Sequence, residues 1–410
     1  MGIKACISTL LFIGFSNFPN TSEAVQNSVR ILNDPPLYYS GIQSAYGASQ
    51  YGDIIQSQET VYFEDIIFDD PINKYLTLEG GYDVNFTSIT GTTVINGNVT
   101  ITTGILEIAA GSLELADLAH IIPDTGQTQS YTETFGEDSD YTLNPLSYAA
   151  NGDGTVTDNV TGLMWQQVSD TQMYNWYTAS GAYNPIYNPE SADLCASLSL
   201  GGYSDWRLPN EFELMGIVNY GIHYPSIDPI FANSVLNEYY WSSSSYVNNP
   251  YSAWSVGFGN GDVLYQFYKS YSGLRVRCVR GSSIVGVFND NNDGTVTDEA
   301  TGLVWQKDDD DTLRTWEAAI IYCEELTFPP STYGDWRLPN IKELRSTVDN
   351  SAYKPAISAS FPSTKPFYYW SSTSEHRAPS YVWRVDFYTG THHSWSKLGD
   401  GYVRCVRGGL

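Results

Sequence analysis

NGDGTVTDNVTGLMWQ fills residues 151–166 and NNDGTVTDEATGLVWQ fills residues 291–306, and each stretch opens the same succession of words. After the first come YSDWRLPNEFEL (203–214), YYWSSSS (239–245) and LRVRCVRG (274–281); after the second come YGDWRLPNIKEL (333–344), YYWSSTS (368–374) and YVRCVRG (402–408). The spacing recurs with the words: Gly154 to Trp165 and Gly294 to Trp305 are both 11 apart, and so are Trp165 to Trp176 and Trp305 to Trp316. Repetition this strict means one folding unit present twice, in residues 148–283 and 287–409.

The second copy is the easier to read, because between Trp176 and Cys195 the first carries 12 extra residues around YNPIYNPES. Those residues have the composition of a surface loop. Without them, Trp316, Ala319, Ile320, Cys323 and Leu326 fall on one face at helical spacing. A second helix is expected after each WRLPN, where Asn210 with Glu213, and Asn340 with Glu343, have the spacing of a capping box. Aromatic and β-branched runs such as YVWRVDFY (381–388) then predict strands. Each copy thus places one cysteine on its first helix and one in its last strand. Pairing Cys195 with Cys278 and Cys323 with Cys405 would tie each copy together at its ends, with free buried thiols as the alternative.

Upstream, Lys4, the apolar run Ala5 to Phe15 and Ser22-Glu23-Ala24 read as an export signal over residues 1–24, with a buried N-terminal strand as the alternative. Its removal takes away Cys6 and leaves four cysteines for an oxidising compartment, placing the protein outside the cell or on its surface. Residues 28–120 hold short strand-like runs such as YLTLEGGYD and GILEIAAGSLEL, which suit a few rungs of a parallel β-helix or a small sandwich. Residues 121–147 have no periodicity and read as a linker, partly ordered against the first repeat. The whole chain has 46 Asp and Glu against 20 Lys and Arg, a net charge of −26 that repels phosphate backbones and anionic lipid. Nucleic acid and membrane insertion after signal cleavage are therefore not expected. With 42% hydrophobic and 14% aromatic residues, 410 residues are ample for more than one buried core.

DGTVTDxxTGLMWQ, the Trp-then-Cys helix, DWRLPN, YWSS and VRCVRG together resemble the C-terminal domain family of the Legionella collagen-like adhesin (Lcl). The resemblance implies an α+β fold, two tandem C-type-lectin-like domains after an all-β N-terminal module, akin to the formylglycine-generating enzyme and to retroelement-diversified binding proteins. No Gly-x-y tract is present, so the adhesin's stalk and trimer do not carry over. Its affinity for sulfated polysaccharide sits badly with the negative charge, and cysteines set out as two structural pairs leave none for formylglycine chemistry.

In lectin-like folds the segment before the last strand is exposed, and here it differs most between copies: DVLYQFYKSYSGLR (262–275) against GTHHSWSKLGDGY (390–402). Tyr265, Phe267, Tyr268 and Tyr271 in the first copy, and His392, His393, Trp395 and Lys397 in the second, are the candidate ligand-binding residues, since large flat groups bind sugars or protein pockets at low entropic cost. The alternative is that they pack on one another as half-buried strand residues. Trp165, Trp206, Trp241 and Trp254, with Trp305, Trp336, Trp370 and Trp383 at the matching places, are read as scaffold, and Arg207 and Arg337 are expected to pair with Asp205 and Asp335 or with backbone carbonyls. NGDGTVTD and its counterpart set Asn or Asp at alternate positions, which suits a tight turn, with calcium as the alternative. The Asp308 to Asp311 run reads as a solvated loop. The chain lacks HExxH, GxSxG, a phosphate loop and CxxC, so no cofactor and no enzyme activity are expected, a carbohydrate-active carboxylate pair being the residual alternative. The expected partner is a glycan or protein surface; the rival reading is an envelope or appendage component that associates with itself.

Overall fold

The structure is a computed structural model and describes residues 28–32, 35–59, 61–63, 66–68, 75–90, 92–96, 99–101, 105–108, 112–116, 121–169, 171–231, 239–283, 286–327 and 334–408. The expected export signal and Cys6 lie outside the described residues. The described part is mostly β, with five short α-helices.

The N-terminal region contains β1 (Val29–Ile31), β2 (Leu37–Tyr39), α1 (Ile42–Ala48), β3 (Ile54–Gln58), β4 (Val61–Phe63), β5 (Ile66–Phe68), β6 (Tyr75–Tyr82), β7 (Thr92–Asn96), β8 (Val99–Ile101), β9 (Ile105–Ile108) and β10 (Ser112–Ala116). Each strand from β6 to β10 pairs in parallel with a strand that precedes it by three: β6 with β3, β7 with β4, β8 with β5, β9 with β6 and β10 with β7. Side chains alternate along a strand, so Leu76 and Leu78 of β6 share the inner face and meet Val29, Ile31, Ile55, Ile66 and Ile95 in a core capped by Ile42, Ala45 and Tyr46 of α1.

Each repeat opens and closes in one small antiparallel sheet. In the first, β11 (Tyr148–Ala150), β12 (Thr155–Asp158), β13 (Met164–Gln166) and β17 (Val279–Arg280) pair in that order; in the second, β18 (Phe288–Asp290), β19 (Thr295–Asp298), β20 (Val304–Gln306) and β24 (Val406–Arg407) do the same. The registers match residue for residue, Val156 with Trp165 and Trp165 with Val279, then Val296 with Trp305 and Trp305 with Val406. Between these strands lie α2 (Trp176–Ser180) and α3 (Glu211–Gly216) in the first repeat, and α4 (Trp316–Glu324) and α5 (Ile341–Ser346) in the second. Both expected capping boxes are present. Cys323 is on its helix as expected, but α2 stops at Ser180, so Cys195 sits in a turn beyond the insertion. That insertion is ordered by the buried Asn188, whose Nδ2 donates to the carbonyls of Tyr177, Ala182 and Ala192.

Both disulfides join the expected partners, Cys195 to Cys278 and Cys323 to Cys405, and each lies in its repeat's own tryptophan-rich core. A third core belongs to both repeats. It brings Leu214, Met215, Ile217 and Val218 of the first against Ile341, Leu344, Trp383 and Val385 of the second, with α3 packed on α5. Above it, β14 (Tyr239–Ser245), β15 (Ala253–Gly257) and β16 (Val263–Leu264) continue into β23 (Thr391–Ser396), β22 (Tyr381–Asp386) and β21 (Tyr368–Ser374) as one six-stranded sheet. The seam is the pairing of Val263 with His392, which occupy corresponding places in the two repeats.

Residues 121–147 are ordered against both repeats, and not in part against the first alone. They form a strap laid across both repeats, with Thr125, Glu137 and Asp138 almost completely buried. The Thr125 carbonyl accepts from the Tyr220 N–H, Gln127 exchanges two hydrogen bonds with the Ser374 main chain, and Lys342 Nζ donates to the Asp124 and Gly216 carbonyls. The strap carries no hydrophobic period because it is held by hydrogen bonds rather than by an apolar stripe.

Candidate ligand-binding faces

β22 and β23 set the geometry of the face in the second repeat. Arg384 stands opposite His393 in the ladder, and Trp395, two residues on, projects from the same side. Arg384 is itself buried, its guanidinium 3.6 Å from the Tyr368 ring centroid and 4.5 Å from that of Trp395, and Nη2 donates to His393 Nε2 at 3.2 Å. Burial pushes the Arg384 pKa down to about 10, and burial together with the Arg384 charge holds His393 below its ordinary value, so His393 accepts as a neutral ring. The outcome is a layered Tyr–Arg–Trp stack whose outer ring, Trp395, stays 48% exposed.

The first repeat builds its face differently. Tyr265 stacks on Tyr246 with centroids 3.7 Å apart and meets Trp254 edge-on, while Phe267 packs on Tyr239 and lies parallel to Tyr271. Tyr268 and Tyr271 are 60% and 51% exposed, and Tyr251 nearby is more exposed still. Because β16 and β23 run antiparallel from Val263 and His392, the two candidate segments leave the seam in opposite directions, so the faces are not brought together.

The eight candidate residues therefore divide. Tyr268, Tyr271 and Trp395 are exposed; Tyr265, Phe267, His393 and Lys397 are half-buried supports. His392 is fully buried, and its Nε2 contacts the Gly261 carbonyl at 2.9 Å and the Tyr220 hydroxyl at 3.1 Å. It joins the repeats and cannot touch an external ligand. Lys397 lies 3.8 Å from the Trp316 ring centroid, just as Lys269 lies 4.1 Å from that of Trp176. A cation on the first helix's tryptophan is a feature of the frame rather than of the variable surface.

A family model described as the Lcl C-terminal domain matches residues 154–280 and again 294–407, more than half of the chain. The chain belongs to the Lcl C-terminal domain family. No curated protein matches it. Trp165, Trp206, Trp241 and Trp254, with their counterparts Trp305, Trp336, Trp370 and Trp383, are buried in the frame of the two Lcl C-terminal domains. Arg207 and Arg337 do not pair with the aspartate two positions earlier but do donate to backbone carbonyls, those of Gly281 and Gly408; each also grips the capping-box glutamate with two hydrogen bonds, Arg207 to Glu213 at 2.8 and 2.7 Å and Arg337 to Glu343 at 2.6 and 2.7 Å. Asp205 and Asp335 instead receive Arg280 and Arg407 from the closing VRG. Arg277 and Arg404, in the VRC just before it, donate to the Gln166 and Gln306 carbonyls beneath the sheet.

The Asn/Asp turns of the Lcl C-terminal domains are occupied by their own hydrogen bonds. Asp153 Oδ1 accepts from the Thr155 N–H and hydroxyl, Asn151 Nδ2 donates to the Thr155 and Thr157 hydroxyls, and Asp293 and Asn291 repeat the pattern. Among the described residues no group of three or more His, Cys, Asp and Glu is placed to hold a metal ion. The Asp308 to Asp311 run is not simply solvated: Asp309 is buried, accepts from the Tyr369 hydroxyl and sits 3.9 Å from Arg404, while Asp310 pairs with Arg314 and Asp311 with Lys365. Sequence reasoning passes over Arg384, the centre of the second face. The signal available is a mismatch inside an otherwise matched word, AWSVG against VWRVD, where Ser255 stands at the position of Arg384.

Proposed function

We propose that this Lcl C-terminal domain protein is an exported, adhesin-like recognition factor that binds glycan or protein surfaces through the aromatic faces of its two repeats. The repeats are read as C-type-lectin-like domains and the N-terminal region as a short β-helix-like module for anchoring, packing or assembly, its parallel ladders supporting the β-helix-like architecture. Two disulfides in a chain whose described residues include no helix long and apolar enough to cross a membrane are in keeping with an extracellular or cell-surface location.

The observation that carries the proposal is the fixed, half-exposed Trp395. A ring already held by Arg384 and Tyr368 loses little freedom when a sugar face or apolar side chain stacks on it. The test is binding of the chain to an array of glycans and cell surfaces, with calcium and with chelator. Trp395→Ala should lose at least tenfold in affinity for the second-face ligand, and Tyr268→Ala with Tyr271→Ala for the first, with unchanged folding. Binding that survives both changes would remove the aromatic faces as the site. Mass that grows with concentration, in place of binding to foreign surfaces, would favour the self-associating envelope component.

A further inference from the structure

The two repeats meet about an approximate two-fold relation, so the groove between them occurs twice, and the strap fills only one of the two. On the filled side, strap residues run over Lys342, Tyr220 and the end of β21, and residues Trp370–Ser374 there are all buried. On the other side the corresponding Ser243 and Ser245 at the end of β14 are exposed, and no described segment of the chain crosses them.

This second groove is a cavity of about 410 Å³ whose lining includes Glu211, Phe212, Ser244, Phe288, Arg345 and Asn350. Its polar groups are built but not all used. Glu211 accepts from Ser244 and Asn350 side chains. Arg345, almost fully buried, rests 5.0 Å from the Trp254 ring centroid and 3.8 Å from Glu211, yet its Nε, Nη1 and Nη2 make no hydrogen bond to any described residue. The Asn350 Oδ1 is likewise buried with no donor among the described residues. Buried donors and acceptors of this kind are costly unless something completes them.

We infer that this groove is a docking site for an extended peptide segment of a partner protein, bound through its main chain as the strap is bound in the twin groove. A peptide unit offers what the lining calls for: a carbonyl to accept from Arg345 and an N–H to donate to Asn350 Oδ1. Asn350 occupies the position of Tyr220, whose N–H holds the strap at Thr125, and Ser245 that of Ser374, which holds it at Gln127. Addition of an extended segment along an exposed strand end is an established mode of peptide capture. Phe212 in place of Lys342, and Glu211 and Arg345 in place of Ile341 and Met215, change the side chains an occupant meets but keep the main-chain geometry, so a segment held chiefly by its main chain, the strap sequence included, is accepted here.

The probe is a fluorescent peptide of residues 121–131, titrated against the full chain, with a scrambled peptide as control. Saturable one-to-one binding is expected, weakened at least tenfold by Ser358→Phe, which fills the groove wall, and at least threefold by Asn350→Ala, which removes one acceptor from a different segment. Trp395→Ala should leave it unchanged, separating this site from the aromatic faces. Absence of saturable binding overturns the proposal. So does binding that Ser358→Phe leaves intact, since the peptide would then be exchanging with the strap in the filled groove. Displacement by a neutral hexose would assign the groove to sugar and overturn it equally.

Discussion

His392 shows how a single position changes meaning once the sheet is known. In THHSWS, alternation sends His393 and Trp395 to one side and His392 to the other, and the other side is the shared core. Reading the whole segment as exposed misses a period of two that the sequence contains. Burial first, and the Arg345 charge second, push the His392 pKa down from 6.5 to about 3. The unfolded chain takes up this proton below 6.5 and the folded one does not, so the folded state loses stability as pH falls through the window from 6.5 to about 3. His392→Val, which copies Val263 across the seam, removes that proton while Tyr220 still donates to the Gly261 carbonyl. Urea midpoints at pH 7, 5 and 4 should fall less steeply for the variant, and parallel curves would show that His392 does not titrate in this way. By contrast, Trp395→Ala should change stability by no more than about 0.5 kcal/mol, as expected of a ring that seals no core.

At the scale of elements, local features are legible in the sequence and pairings across the chain are not. The capping boxes at Asn210 and Asn340 need only residues three apart, and the strands' register follows from words of one length in both repeats. The pairing of Arg207 and Arg337 with Asp205 and Asp335 fails because these aspartates are claimed by arginines more than 70 residues away, a pairing that exists only once the last strand lies beside WRLPN. Analogy with Cys323 puts Cys195 on a helix, but the insertion ends α2 early with Gly181 in the left-handed region at φ 73°. The disulfides close loops of 83 and 82 residues. Replacing Cys323 and Cys405 together by Ser should cost about 4 kcal/mol by the loop-entropy relation, read as a lower urea midpoint with a steeper slope, since the denatured chain expands once the bridge is gone. A loss below about 1 kcal/mol would mean that the tryptophan core around this bridge holds without it.

For the whole molecule, the repeat predicts two domains, and the two domains prove to be joined through a common core, a continuous sheet and a strap. No sequence word announces that union: Leu214, Ile217, Ile341 and Leu344 look like the inner faces of separate helices, and residues 121–147 look like a tether. The union matters for function because it fixes the two aromatic faces at opposite ends of one sheet and leaves one of two twin grooves open. It also leaves little reason for either repeat to unfold alone, since that would bare the shared face of its neighbour. The most direct test is native-state hydrogen exchange over increasing urea, with mass spectrometry on peptides covering residues 239–258 of the first repeat and 368–387 of the second. The joined architecture predicts one opening free energy and one urea dependence for both. Two distinct values, with one repeat exchanging while the other remains protected, would contradict it and return the chain to two independent domains on a string.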